Sequence, residues 1–130
     1  MSDFHVFENY WSENFATSLL VFALRRSQEF RSKFLEEVLR RSGNEPYETY
    51  RATEVERDRQ ISLPGSSGSL ELEVRRPDIC IEGWVDGQSF LVLVEAKIGA
   101  GWQANQLPAY LKWLTAQGRD VWKLVTLTRD

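Results

Sequence analysis

Two apolar runs, "PDICIEGWV" and "QSFLVLVEAKI", are separated by Asp86-Gly87. Asp-Gly in this setting marks a two-residue hairpin turn, because both loop positions need the left-handed backbone region that these residues tolerate. With Asp86 and Gly87 as the loop, Val85 pairs with Gln88, and every cross-strand pair has residue numbers that sum to 173. That register sets Asp78 opposite Glu95. Side chains alternate faces along a strand, so Glu95 and Lys97 share one face, with Asp78 beside them. A bulge or a longer loop would turn Asp78 to the other face.

Such a site has a cost. Buried charges are unfavourable unless they are paired or hold a metal, and opposed carboxylates repel. Lys97 offsets one charge. A divalent cation would offset more, and oxygen donors suit Mg2+ or Mn2+. The alternative is structural, with Lys97 paired to Glu95 and Asp78 capping a turn after Pro77. Gly99 and Gly101, at the end of this strand, would let a ligand backbone approach closely.

The rest of the chain frames the hairpin. Ser12 is a candidate cap for a helix over residues 13–26, with Phe15, Leu19, Phe22 and Ala23 on its inner face. Ser27 caps a second helix over 28–41, with Phe30, Phe34, Val38 and Leu39 inward and Gly43 as its stop. Residues 48–63 read as a strand with polar alternation, with a short helix as the alternative, 64–69 as a turn or loop, and "LELEV" at 70–74 as a half-buried strand. Asn105 starts a helix that ends at Gly118, with Pro108 tolerated in its first turn. The last ten residues, "VWKLVTLTRD", read as a closing strand. This order predicts one α/β domain over residues 1–130, a mixed central sheet flanked by helices.

Composition narrows the chemistry. The chain has 130 residues and a formal net charge of −3, unlike a strongly basic nucleic-acid binder. Cys80 and His5 are the only residues of their kinds, so a disulfide within the chain and a thiolate or multi-histidine metal site are excluded. Cys80 falls on the Asp78 face and is expected to be an inert core thiol. There is no apolar run of membrane-spanning length and no signal-peptide pattern, so a cytoplasmic protein is expected.

Pro77-Asp78 followed by Glu95-Ala96-Lys97 resembles the PD-(D/E)xK nuclease superfamily. Gln106 and Tyr110 resemble the QxxxY motif of its RecB-like exonuclease branch. The element order is similar to that family's restriction-endonuclease-like αβββαβ core, over nearly the whole chain. The resemblance implies a Mg2+- or Mn2+-dependent deoxyribonuclease that leaves 5′-phosphate ends. It implies Asp78, Glu95 and the Ala96 carbonyl as metal ligands, and Lys97 as the group that steadies the attacking water and the developing charge. It adds a first-helix acid, Glu13 with Glu8 in reserve, and Gln106 at the metal or the DNA backbone. Tyr110 would orient the scissile phosphate or pack on the sheet. Arg76 is the arginine expected to contact DNA; Arg57, Arg59 and Arg75 are expected in surface ion pairs. A homodimer or a further domain or subunit would supply specificity. The alternative is an inactive module of the same fold that binds nucleic acid or a protein partner.

Overall fold

The computed structural model describes residues 13–41, 43–64, 72–97 and 106–128. Helices α1 (Glu13–Arg26) and α2 (Gln28–Val38) precede strands β1 (Tyr50–Arg57), β2 (Ile61–Pro64), β3 (Leu72–Arg75), β4 (Ile79–Val85) and β5 (Gln88–Lys97). Helix α3 (Gln106–Ala116) and strand β6 (Val121–Thr128) follow. A four-stranded sheet has the order β1-β4-β5-β6, and β2 and β3 form a separate two-stranded sheet. The larger sheet is mixed: β5 and β6 run parallel, joined through α3, and its other neighbours are antiparallel.

The hairpin has the expected register. Pairs run from Val85–Gln88 to Ile79–Val94 without a bulge. Asp86 and Gly87 have φ of 48° and 80°, the two left-handed residues of a tight turn. Strict alternation then divides the core. Ile79, Ile81, Val85, Phe90, Val92 and Val94 pack with Val21, Leu24, Leu35 and Leu39 of the first two helices and the turn after them. Cys80, Leu91 and Leu93 pack on the other face, against Ile61, Tyr110 and Leu114. β5 is buried on both faces, which explains its unbroken apolar run.

Four expectations need correction. α1 buries Thr17, Val21 and Leu24, whereas Phe15, Leu19 and Phe22 are exposed. This helix carries two apolar stripes at helical spacing, so periodicity alone cannot choose between them. Polar contacts fix its rotation: Arg25 Nε and Nη2 donate to Val55 O at 3.0 and 2.8 Å, and Arg57 Nη1 donates to Ser18 Oγ. α2 ends at Val38, before Arg41, and buries Leu35 while Phe30 is exposed. Leu39 is its extended C-cap, so Gly43 serves the following turn and not the helix end. The single strand expected over 48–63 is two strands in two sheets, broken at Asp58 with φ of 55°. The predicted cap residues Ser12 and Asn105, and Gly99 and Gly101, lie outside the described residues.

Candidate functional site

The ladder stops one pair short of Asp78 and Glu95, and side chains take over there. Ala96 N donates to Asp78 Oδ2 at 2.6 Å, and Asp78 N approaches Glu95 Oε2 at 3.4 Å. Each carboxylate thus accepts from the neighbouring strand's main chain. Lys97 Nζ stands 3.8 Å from Glu95 Oε1, and both side chains are nearly buried. From α3, Gln106 Nε2 donates to the same Oε1 at 3.3 Å, and Tyr110 lies buried on the same helix. The i, i+4 spacing of Gln106 and Tyr110 sets both on the helix face turned to the sheet.

The electrostatics follow from this packing. Burial and then the charge of Asp78 push the Glu95 carboxyl up to about 7, against the opposing pull of Lys97, the Asp78 amide and Tyr110. The Asp78 carboxyl is also raised, first by burial and then by nearby Asp58, against the Ala96 amide and Lys97. Lys97 therefore compensates the two acids only in part. The Tyr110 hydroxyl is pushed up to about 12, chiefly by burial, so it stays a neutral donor. Burial likewise pushes the Cys80 thiol up to about 11, as expected of an inert core thiol.

Asp78, Glu95, Lys97 and Gln106 are thus brought together. Tyr110, 1% exposed, packs on the sheet with Cys80, Leu91 and Leu93. Ala96 contributes its amide to the Asp78 bond. Arg76 is exposed two residues before Asp78 and donates to Gln60 Oε1 at 3.3 Å. Arg57 pairs with Asp58 at 3.5 Å, but Arg59 leaves the surface acids and binds Glu82 at 2.6 Å. The side chain of Glu13, and all of Glu8 and His5, lie outside the described residues.

Two acids near the site were not read as part of it, although Asp58 is an expected ion-pair partner of Arg57. Asp58 donates its amide to Asp78 O at 3.2 Å and adds to the local negative field. The available signal was an aspartate in "ERDRQ", a residue that tolerates the left-handed break between strands. Glu82 lies on the same sheet face and is clamped by Arg59 and Arg119. Its alternation with Asp78 and Cys80 was legible, but its partners come from distant loops.

Among the described residues, no group of three or more His, Cys, Asp and Glu side chains is arranged to hold a metal ion. The oxygen donors brought together here are the carboxylates of Asp78 and Glu95. No helix among the described residues is long and apolar enough to cross a membrane. Comparison with models of known families, with curated proteins and with solved structures finds no match.

Proposed function

We propose that this chain carries a restriction-endonuclease-like PD-(D/E)xK core and hydrolyses nucleic-acid phosphodiesters, with DNA as substrate and 5′-phosphate ends as product. The observation that carries this reading is the meeting of Asp78 and Glu95 at the hairpin end, where Asp78 N donates to Glu95 Oε2 and Lys97 stands 3.8 Å from the same carboxylate. The Glu95 carboxyl, pushed up by burial and by a second acid beside it, is the kind of perturbed group that functional sites favour, which supports this reading. The oxygen donors fit a hard cation, Mg2+ or Mn2+, held by Asp78, Glu95 and the Ala96 carbonyl. Such a cation would draw charge from the phosphate and acidify water.

The chain's own residues supply the rest. The Lys97 ammonium places fixed positive charge where negative charge grows on the phosphate. Gln106 is a positioning residue that holds the Glu95 carboxylate from α3. Arg76 is close enough in the chain to Asp78 to contact a flanking phosphate. An inactive binding module is the second reading, and the 2.6 Å Ala96–Asp78 bond favours it, because that bond closes the hairpin end without an ion.

The test is calorimetric titration of Mg2+ and Mn2+ into the parent and Asp78→Asn, with and without a short DNA duplex, beside a cleavage assay. Binding that requires Asp78, together with metal-dependent cleavage, supports the nuclease. Equal affinity in both proteins removes Asp78 as a ligand. Absence of metal binding and cleavage in the parent leaves the binding module.

A further inference from the structure

The two edges of the four-stranded sheet are treated differently. β1 is blunted in three ways. Its register shifts between Ala52 and Glu54, four of its eight residues are charged, and Arg25 occupies the Val55 carbonyl. These are the usual means of keeping an edge from pairing. β6 has none of them. It is eight residues long, "VWKLVTLT", and matches β5 without interruption from Phe90–Val121 to Lys97–Thr128. It contains no proline and a single charge, Lys123. Among the described residues β6 pairs only with β5.

Burial shows the consequence. Every residue of β5 from Phe90 to Ala96 is buried, whereas none of Val121–Leu127 is. Val121, Leu124, Val125 and Leu127 join the two cores but remain half open, and Trp122 is 37% exposed. Among the described residues, the side that lacks a neighbouring strand is the outer edge.

We infer that β6 pairs antiparallel with β6 of a second copy, joining two four-stranded sheets across a two-fold axis. The sequence of the strand is self-complementary in this arrangement. An axis normal to the sheet keeps each face on its own side, so opposed residues must have the same parity. With Leu124 opposite its own copy, Val121 meets Leu127, Trp122 meets Thr126, and Lys123 meets Val125. The only charge never faces itself, and its aliphatic stem covers the half-open Val125. The exposed Trp122 lies over a threonine, a favourable aromatic–β-branched pair. Such a patch is isologous, as a closed dimer requires. An edge contact of this length buries less than the roughly 1,200 Å2 of a stable interface, so the association is concentration-dependent. It does not depend on the chemistry of the Asp78–Glu95 site.

The experiment is sedimentation equilibrium of the full 130-residue chain from micromolar to millimolar concentration, with amide exchange along β6. The expected result is a monomer–dimer equilibrium, with β6 amides gaining protection as the dimer fills. A double variant, Trp122→Lys with Thr126→Lys, sets like charges opposite each other at two exposed positions. It should keep its circular dichroism and weaken association about tenfold or more. Its acidic counterpart, Trp122→Glu with Thr126→Glu, should do the same, and mixing the two should restore a heterodimer. A parent that stays monomeric at millimolar concentration overturns the proposal. So does a dimer that the lysine pair leaves intact, or a mixture that does not associate.

Discussion

At the residue scale, the question is why Glu95 and Lys97 sit together at the end of so apolar a strand. Their 3.8 Å separation is long for an ion pair, and Glu95 also accepts from Asp78 N and Gln106 Nε2. Glu95 keeps those two contacts when the Lys97 side chain is removed. We expect Lys97→Ala to keep the thermal unfolding midpoint within a few degrees. On the nuclease reading it lowers the cleavage rate about a hundredfold or more, as loss of a preorganised charge does. A variant that unfolds would instead make the pair structural. Glu95 gives a second prediction. Its carboxyl moves from 4.5 to about 7 on folding, so between those values the native state binds more protons than the unfolded chain. Stability from this group is thus lost as pH rises through that window, and the penalty is complete above 7. Glu95→Gln should gain about 1–2 kcal/mol at pH 8 and little at pH 4, the full shift being discounted for partial solvent screening. Urea titrations at the two pH values measure the difference, and an equal effect at both would show that ionisation is not the cause.

At the element scale, the hairpin was legible because its turn chemistry and its alternation specify the same register. The first helix was legible in its extent, Glu13–Arg26, but not in its rotation, because an apolar stripe on either side satisfies the same period. Its rotation is set by Arg25 and Arg57, whose partners on β1 and α1 are 30 and 39 residues apart in sequence. The Asp58 break was hidden for a related reason: a polar alternating segment fits one long strand as well as two short ones. Gly83 is a feature that only the sheet explains. A Cβ there would overlap the Arg51 carbonyl and lie 2.7 Å from Phe90 Cε2, beside the point where the β1 register shifts. Without a side chain, β1 can approach β4 and Phe90 can lie over the strand. Gly83→Ala should cost about 3 kcal/mol in denaturant unfolding, at the upper end for overpacking. A cost below 1 kcal/mol would mean that β1 shifts away freely.

At the scale of the whole molecule, sequence order and alternation were enough for a mixed sheet between helices, and for the meeting of Asp78 with Glu95. They could not reach contacts that close only when distant loops converge. Glu82 is the main case. Its Oε1 accepts from Arg59 at 2.6 Å and from Arg119 at 2.9 Å. Arg59 also lies over the Trp113 ring at 5.8 Å, and Arg119 donates to Phe90 O at 3.3 Å. One carboxylate on β4 thereby ties the β1–β2 connection, α3 and the entry to β6. Replacing it leaves two half-buried guanidinium groups facing each other without their shared acceptor. Fully buried pairs broken this way lose about 3–5 kcal/mol, and exposed pairs lose less than about 1. The side chains here are 17% to 31% exposed, which places the cluster between those limits. Glu82→Ala should therefore destabilise the chain by about 2 kcal/mol. Salt separates this from a surface effect, because ions screen exposed charges far more than enclosed ones. The loss should persist at high ionic strength in urea unfolding. If salt erases it, Glu82 is one surface charge among many, and the three elements are held together by the apolar contacts beneath it.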